Sequence, residues 1–314
     1  MPTQRRRGYA TLARKFWHTH LIRPGNRANF ASMVQPVDRT YTSADATPLP
    51  MRVWSPQRPR AVLVYLHGIQ SHSGWYEASS RYLAGAGVAV YQLERRGSGT
   101  DRRHERGHVD RAETWLLDVA AAARLACGET GLASAHLMGV SWGGKLALAC
   151  AAHRPEIYRS LVLAAPGIVP KVDPTLAVKV RVAQSLLAGD PIRKFPIPLQ
   201  DPNLFTENPE RVRYIAEDPL SLHEVTARFM YESRRLDGLV RAAAGVVSRP
   251  TFLALAEKDR IIDNAATRAW VEAMPCSRRR VVVYPDAGHT LEFEAEPAAY
   301  FRDVAAWVEE IEAA

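Results

Sequence analysis

Gly139-Val140-Ser141-Trp142-Gly143-Gly144 decides how this chain is read. The run before it, Ala135 to Met138, is apolar and of strand length; the run after it, Lys145 to Ala152, is helix-like. A strand, a sharp turn with serine at the apex, and a helix make up the setting in which G-x-S-x-G presents a nucleophile clear of the backbone. The small residues on either side let strand and helix approach closely. The bare pattern also arises by chance, so its weight comes from the flanking elements and from partners downstream.

Outward from that turn, strands and helices alternate. Arg60 to Leu66 is a near-continuous apolar run, which suits a central strand buried on both faces. It ends in the turn His67-Gly68-Ile69-Gln70. Strands are also predicted at Met51–Trp54, Val88–Leu93, Ser160–Ala165, Thr251–Ala256 and Val281–Tyr284. Helices are predicted at Trp75–Ala84, Glu113–Ala126, Asn264–Met274 and Ala298–Glu312, the last with Phe301, Val304, Val308 and Ile311 on one face. Such alternation implies right-handed crossovers and a mostly parallel, doubly wound α/β sheet.

At Pro166 the texture changes. Nine prolines fall between Pro166 and Pro219, which excludes long regular elements over most of that stretch. Inside it, Thr175–Ala188 reads as a helix with Leu176, Val180, Ala183 and Leu187 on one face, widened by Val178, Val182 and Leu186. A second helical stretch is expected over Ser221–Ser233. Residues 167–245 thus read as an inserted helical lid, and 29–166 with 246–314 as the sheet domain that it covers.

Of 314 residues, 47% are hydrophobic and 24% charged, the balance of a globular protein with a sizeable core. The net charge is +8, yet Arg5, Arg6, Arg7, Arg14, Lys15, Arg23 and Arg27 all precede the first acidic residue, Asp38. Residues 1–28 form a basic extension, either loosely packed or lying on an anionic membrane surface. The rest of the chain is nearly neutral and carries no basic stripe, which argues against nucleic-acid binding. Three cysteines at no metal-ligand spacing point to a reducing compartment and away from a disulfide framework. With no apolar run of transmembrane length and no apolar signal core, the expected location is cytoplasmic.

The chemistry follows from the order Ser141, Asp259, His289, each just after an apolar strand run. That places all three at one edge of a parallel sheet, where open α/β folds bind ligands. A serine hydroxyl needs an imidazole to take its proton, and the imidazole needs a carboxylate to hold its tautomer. Gly288 lets the loop swing His289 inward. Asp259 ends a strand and precedes a helix, as suits the acid. Asp263 and Asp286 are the alternatives, Asp286 being expected to point away because it belongs to the strand-exit turn. The oxyanion donors are expected to be the backbone N–H groups of Trp142, after the nucleophile, and Ile69, in the loop after the early central strand.

On these residues the sequence resembles the α/β-hydrolase superfamily, closest to its monoacylglycerol lipase, lysophospholipase and serine aminopeptidase-like group. His67-Gly68-Ile69-Gln70-Ser71-His72-Ser73-Gly74-Trp75-Tyr76 is similar to the group's oxyanion segment H-G-x-x-x-H-S-x-x-Y. Gly97-Ser98-Gly99 matches its G-x-G loop, and Asp218-Pro219-Leu220 with Val225-Thr226-Ala227-Arg228 its lid signature. Two departures are Ala256, where a glycine is usual, and the Arg-rich loop Arg95–Arg106. The basic arm has no counterpart.

The resemblance implies an α/β-hydrolase fold and a serine hydrolase of single-chain acyl esters, acting through an acyl-enzyme without metal or organic cofactor. Thioester cleavage, acyl transfer, aminopeptidase activity and non-catalytic ligand binding are the other readings. For an aminopeptidase, Glu207, Glu210, Glu217 or Glu224 would have to hold the free amino group.

Overall fold

The computed structural model describes residues 34–276 and 278–314; the basic arm, 1–28, lies outside the described residues. The strands are β1 (Val37–Thr42), β2 (Pro48–Trp54), β3 (Ala61–Leu66), β4 (Val88–Leu93), β5 (Ala135–Val140), β6 (Tyr158–Ala164), β7 (Lys194–Pro196), β8 (Glu224–Thr226), β9 (Thr251–Ala256) and β10 (Arg279–Tyr284). The helices are α1 (Glu77–Gly85), α2 (Ala112–Thr130), α3 (Trp142–His153), α4 (Leu176–Leu187), α5 (Pro209–Glu217), α6 (Ala227–Ala243), α7 (Asn264–Glu272) and α8 (Ala298–Glu312).

One sheet runs β1-β2-β4-β3-β5-β6-β9-β10, antiparallel at its β1-β2-β4 end and parallel from β4 to β10. β3, β4, β5 and β9 are buried at every position, as continuous apolar runs require when helices cover both faces. Burying a Leu or Val such as Leu63, Val64 or Leu253 stabilises by roughly 1.5 to 3 kcal/mol, about the size of the backbone ordering it offsets. α2 and α3 pack together over one part of the sheet, and α1 and α8 pack together. The parallel strands β5, β9 and β10 all exit at the same edge, bringing three widely separated loops into one place.

The segment between β6 and β9, read above as the insertion, departs from expectation in three ways. First, Ser221–Ser233 is not one helix. Residues 224–226 pair with β7, and Thr226 then caps α6, its Oγ1 accepting from Phe229 N at 3.1 Å. α6 continues to Ala243 because Leu236, Val240 and Ala243 keep an apolar face buried. Second, α5 lies within the proline-rich stretch. Asn208 caps it and Pro209 takes its first turn, where a missing N–H costs nothing. Third, the expected inward stripe of α4 is turned outward in part. Leu176, Val180 and Leu187 are 77%, 48% and 89% exposed, while Val182 is buried and Val178 and Leu186 pack on Phe195 and Ala227. Among the described residues no helix is long and apolar enough to cross a membrane.

Candidate active site

The turn after β5 holds Ser141 at φ 53° and ψ −122°, a left-handed conformation that an L-residue avoids unless its surroundings impose it. Here they do. Ser141 N donates to Ala164 O at 3.0 Å, and Ser141 O accepts from Gly144 N at 2.9 Å and Gly167 N at 2.7 Å. Glycine is obligatory around it: a Cβ on Gly139 would stand 2.3 Å from Gly143 O, and one on Gly143 2.4 Å from Leu66 O. The backbone can make this turn only with those side chains absent, and the turn projects the Ser141 hydroxyl from the sheet edge.

His289 reaches that hydroxyl from the loop after β10, with Nε2 2.8 Å from Ser141 Oγ and Nδ1 2.7 Å from Asp259 Oδ2. In the tautomer that satisfies both contacts, the Ser141 hydroxyl donates to Nε2 and Nδ1–H donates to the carboxylate. Asp259 Oδ1 accepts from Ile261 N at 2.8 Å and Ile262 N at 3.0 Å. Burial alone would raise the Asp259 carboxyl; the charge and hydrogen bond of His289, with these two N–H groups, outweigh it and hold the carboxyl below its ordinary value. All three side chains are buried. Asp286 has no part in this chain of contacts: its carboxylate is exposed and faces Lys258.

The His289 loop is braced by residues that the sequence reading passed over. Glu294 Oε1 accepts from Gly288 N at 3.0 Å and from Thr206 Oγ1 at 3.2 Å, and Thr290 N donates to Phe205 O at 2.8 Å. Thr206 and Phe205 belong to the insertion, so the insertion supports the His289 loop directly.

Ile69 and Trp142 line the same cavity as Ser141, about 610 Å³ in volume. As the first residue of α3, Trp142 has no acceptor for its N–H within the helix. The cavity walls are mostly apolar and come largely from the insertion: Val182, Ala183, Leu186 and Leu187 of α4, Val225 of β8, and Phe229 and Met230 of α6. Of the predicted α4 stripe, Ala183 and Leu187 reach the cavity, with Val182 and Leu186 beside them. The insertion is stapled to α3, the helix that follows Ser141, by a polar cluster on one cavity wall. Lys145 Nζ donates to Asp237 Oδ1 at 2.6 Å and Ser233 Oγ at 3.1 Å, and Trp142 Nε1 donates to Ser233 Oγ at 3.0 Å. Burial pulls the Lys145 ammonium below its ordinary pKa, opposed by Asp237.

The Arg-rich loop is mostly structural. Arg96 forks onto Asp118 at 2.7 and 2.8 Å and also meets Asp45. Arg106 donates to Gly99 O at 3.1 Å and, across to the insertion, to Leu220 O at 3.0 Å and Ser221 O at 3.2 Å. A second latch is Asp218, whose Oδ2 accepts from His72 Nε2 at 2.8 Å, Trp75 Nε1 at 2.7 Å and Ser221 Oγ at 3.0 Å. Burial opposes its ionisation, but His72 and Trp75 prevail and hold it at about 2. His67 stays neutral, its pKa pushed well down by burial and by Arg95, and bonds Gly68 O. That makes it a brace for the turn.

Comparison with known proteins bears on this arrangement. The family model described as serine aminopeptidase, S33, matches residues 57–296. Monoacylglycerol lipase of Mycolicibacterium smegmatis is 27% identical over 262 residues, covering 82% of this chain and 91% of that protein. Human monoglyceride lipase is 25% identical over 272 residues, covering 85% and 88%. Among solved structures, monoacylglycerol lipase of Paleococcus ferrophilus superposes with a TM-score of 0.74 at 23% identity, over 84% of this chain and all of that one. A soluble variant of Saccharomyces cerevisiae monoglyceride lipase, solved with a substrate analogue, superposes with a TM-score of 0.75 at 17% identity, over 90% and 97%. With its mostly parallel sheet, the tight turn at Ser141 after β5 and a family match spanning both the sheet and the insertion, this chain has the α/β-hydrolase fold and belongs to the serine aminopeptidase S33 family of hydrolases.

Proposed function

We propose that the protein is a serine hydrolase that cleaves carboxylic esters of a single acyl chain, of the monoacylglycerol lipase or lysophospholipase type. The observation that carries the reading is the unbroken hydrogen-bonded chain from Ser141 Oγ through His289 to Asp259, opening on an apolar cavity of about 610 Å³. The names of the relatives, monoacylglycerol and monoglyceride lipases, support it. Ser141 Oγ attacks the ester carbonyl while His289 Nε2 takes its proton. The Ile69 and Trp142 N–H groups stabilise the oxyanion, and Asp259 stabilises the imidazolium. Collapse of the tetrahedral intermediate breaks the carbon–oxygen bond to the alcohol, which leaves with the proton from His289. His289 then activates water, and the same sequence releases the acid and free Ser141.

The insertion acts as a lid that forms the acyl site. For the aminopeptidase reading, the chain would need a free carboxylate beside Ser141. Glu207, Glu210, Glu217 and Glu224 do not line the cavity, and the carboxylates that do, Asp173 and Asp237, are paired with Lys179 and Lys145. The basic arm is proposed as a contact for anionic membrane surfaces rather than as part of the site. The deciding experiment is kcat/KM for p-nitrophenyl esters from two to sixteen carbons beside a set of aminoacyl-arylamides. Rising values with chain length until the cavity is full support the ester reading. A flat ester profile with strong arylamide turnover would reverse it, and conversion of added glycerol to acylglycerol would identify a transferase.

A further inference from the structure

We propose that Arg95 is the positioning residue of the oxyanion site: its guanidinium sets the peptide plane that carries the Ile69 N–H and packs against the ring of Trp142. This inference rests on the hydrolase reading above and adds a role that the nucleophile, base, acid and oxyanion donors do not cover.

β4 delivers Arg95 into the protein beneath the turn 67–70, where it is buried. Nη1 donates to Gly68 O at 3.1 Å, and Nη2 donates to Ile69 O at 2.7 Å and Ser98 Oγ at 2.7 Å. In a trans peptide unit the carbonyl and the following N–H project to opposite sides of the chain. With Gly68 O held on the arginine side, the Ile69 N–H is turned away from the arginine. Ser141 is close to this turn: a Cβ on Gly68 would lie 3.5 Å from Ser141 Cβ, and Ile69 lines the cavity beside Ser141. Gripping two successive carbonyls with charge-assisted bonds fixes both peptide planes on either side of Ile69 Cα, the first of which carries the Ile69 N–H.

The same guanidinium lies 4.8 Å from the Trp142 ring centroid and 5.5 Å from that of Phe229. One cation therefore touches both residues whose N–H groups are assigned to the oxyanion, through a carbonyl grip on one side and a ring face on the other. Arg95 also differs from its neighbour. Arg96 is satisfied by Asp118 and Asp45, whereas among the described residues Arg95 forms no salt bridge. Burial lowers its pKa to about 9, partly opposed by Glu94, which leaves it charged at neutral pH. A buried cation without an ion-pair partner is costly to keep. Held near a centre where negative charge develops, it favours the transition state over the ground state.

The test uses the full-length protein with Arg95→Lys and Arg95→Met. Each is measured for kcat and KM on a short p-nitrophenyl ester, for melting temperature, and for inhibition by two ligands of equal chain length. One is a trifluoromethyl ketone, which Ser141 converts to a tetrahedral oxyanion; the other is the matching secondary alcohol, which only fills the cavity. Arg95→Met should lose roughly 10²-fold in kcat, the scale of one oxyanion donor, with KM within about threefold. Trifluoromethyl ketone affinity should fall in parallel and alcohol affinity should hold. Arg95→Lys, which keeps a charge but has no fork to grip two carbonyls, should fall between. If Arg95→Met does not fold, the lysine variant decides by the same two ratios. Unchanged kcat in the folded variants, or equal loss of both inhibitors, overturns the assignment. A wild-type protein that neither turns over ester nor takes a fluorophosphonate label overturns the hydrolase reading and this inference with it.

Discussion

Asp259→Asn is the sharpest perturbation of the proposed triad, because the structure dictates how the amide must sit. Asp259 Oδ1 receives two backbone N–H groups, from Ile261 at 2.8 Å and Ile262 at 3.0 Å, and Oδ2 faces His289 Nδ1 at 2.7 Å. An asparagine can satisfy the two N–H donors only by placing its oxygen there, so its NH2 group faces His289. That group donates to Nδ1 and forces the ring proton onto Nε2, where it points at Ser141 Oγ and cannot accept the serine proton. The amide also removes the charge that stabilises the imidazolium. The wrong tautomer costs on the order of 10⁴ in kcat in comparable triads, about 5.5 kcal/mol of barrier. The assay is kcat/KM on a soluble p-nitrophenyl ester, normalised by active-site titration, with Asp286→Asn as control. Asp286 is exposed and pairs with Lys258, away from His289, so the Asp286→Asn variant should hydrolyse ester within about twofold of wild type. Retention of more than a few per cent of activity by Asp259→Asn, or a dead Asp286→Asn, would refute the reasoning.

Three further outcomes are expected. Ser141→Ala and Ser141→Gly should both abolish turnover and fluorophosphonate labelling. The glycine variant should melt higher than the alanine variant, because relief of φ 53° outweighs the added freedom of the unfolded chain by roughly 1 kcal/mol; equal melting temperatures would show that the turn stores no strain. Ala183→Phe, which fills part of the proposed acyl cavity, should move the ester optimum to shorter chains at up to about 0.8 kcal/mol for each methylene excluded; an unmoved optimum would place the chain elsewhere. Glu292 is buried, and burial pushes its carboxyl up to about 7 although Ser79 N donates to it at 2.8 Å. Its folded-state pKa is raised, so its contribution to stability is complete below about 4.5 and is lost as pH rises through about 7, up to roughly 3 kcal/mol. Glu292→Gln should therefore melt higher than wild type at pH 8 with the difference closing at pH 5, and a pH-independent difference would contradict this.

Much of the molecule was legible in the sequence because its signals are local. Val88–Leu93 and Thr251–Ala256 are continuous apolar runs, and such runs can be buried only between two layers of helix; both form the strands predicted. The last helix has the predicted ends because its apolar positions recur at helical spacing. The glycines at Gly139 and Gly143 announced a close approach, and the approach is there. The order of Ser141, Asp259 and His289 after three strands was enough to place them at one edge once the sheet was taken as parallel.

Signals that depend on partners far along the chain were not legible. One local signal was missed as well: the density of prolines obscured the Asn208-Pro209 helix start in the insertion. The facing of α4 was different in kind: seven apolar residues offer two candidate faces, and only packing against Phe195 and Ala227 selects Val178, Val182 and Leu186 and leaves Leu176 and Val180 in solvent. The arginines of the Arg95–Arg106 loop look alike as sequence, yet Arg96 meets Asp118, Arg106 meets Leu220 and Ser221, and Arg95 reaches the carbonyls of Gly68 and Ile69. The sequence by itself determined most of the parallel strands, the tight turn at Ser141 and the types of side chain gathered at the sheet edge, since strand period, glycine sterics and residue chemistry are local properties. The tertiary structure decided which carboxylate meets His289, which face of the insertion lines the cavity and which arginine grips the carbonyls of Gly68 and Ile69, since hydrogen bonding and desolvation depend on residues that meet only when the chain is folded.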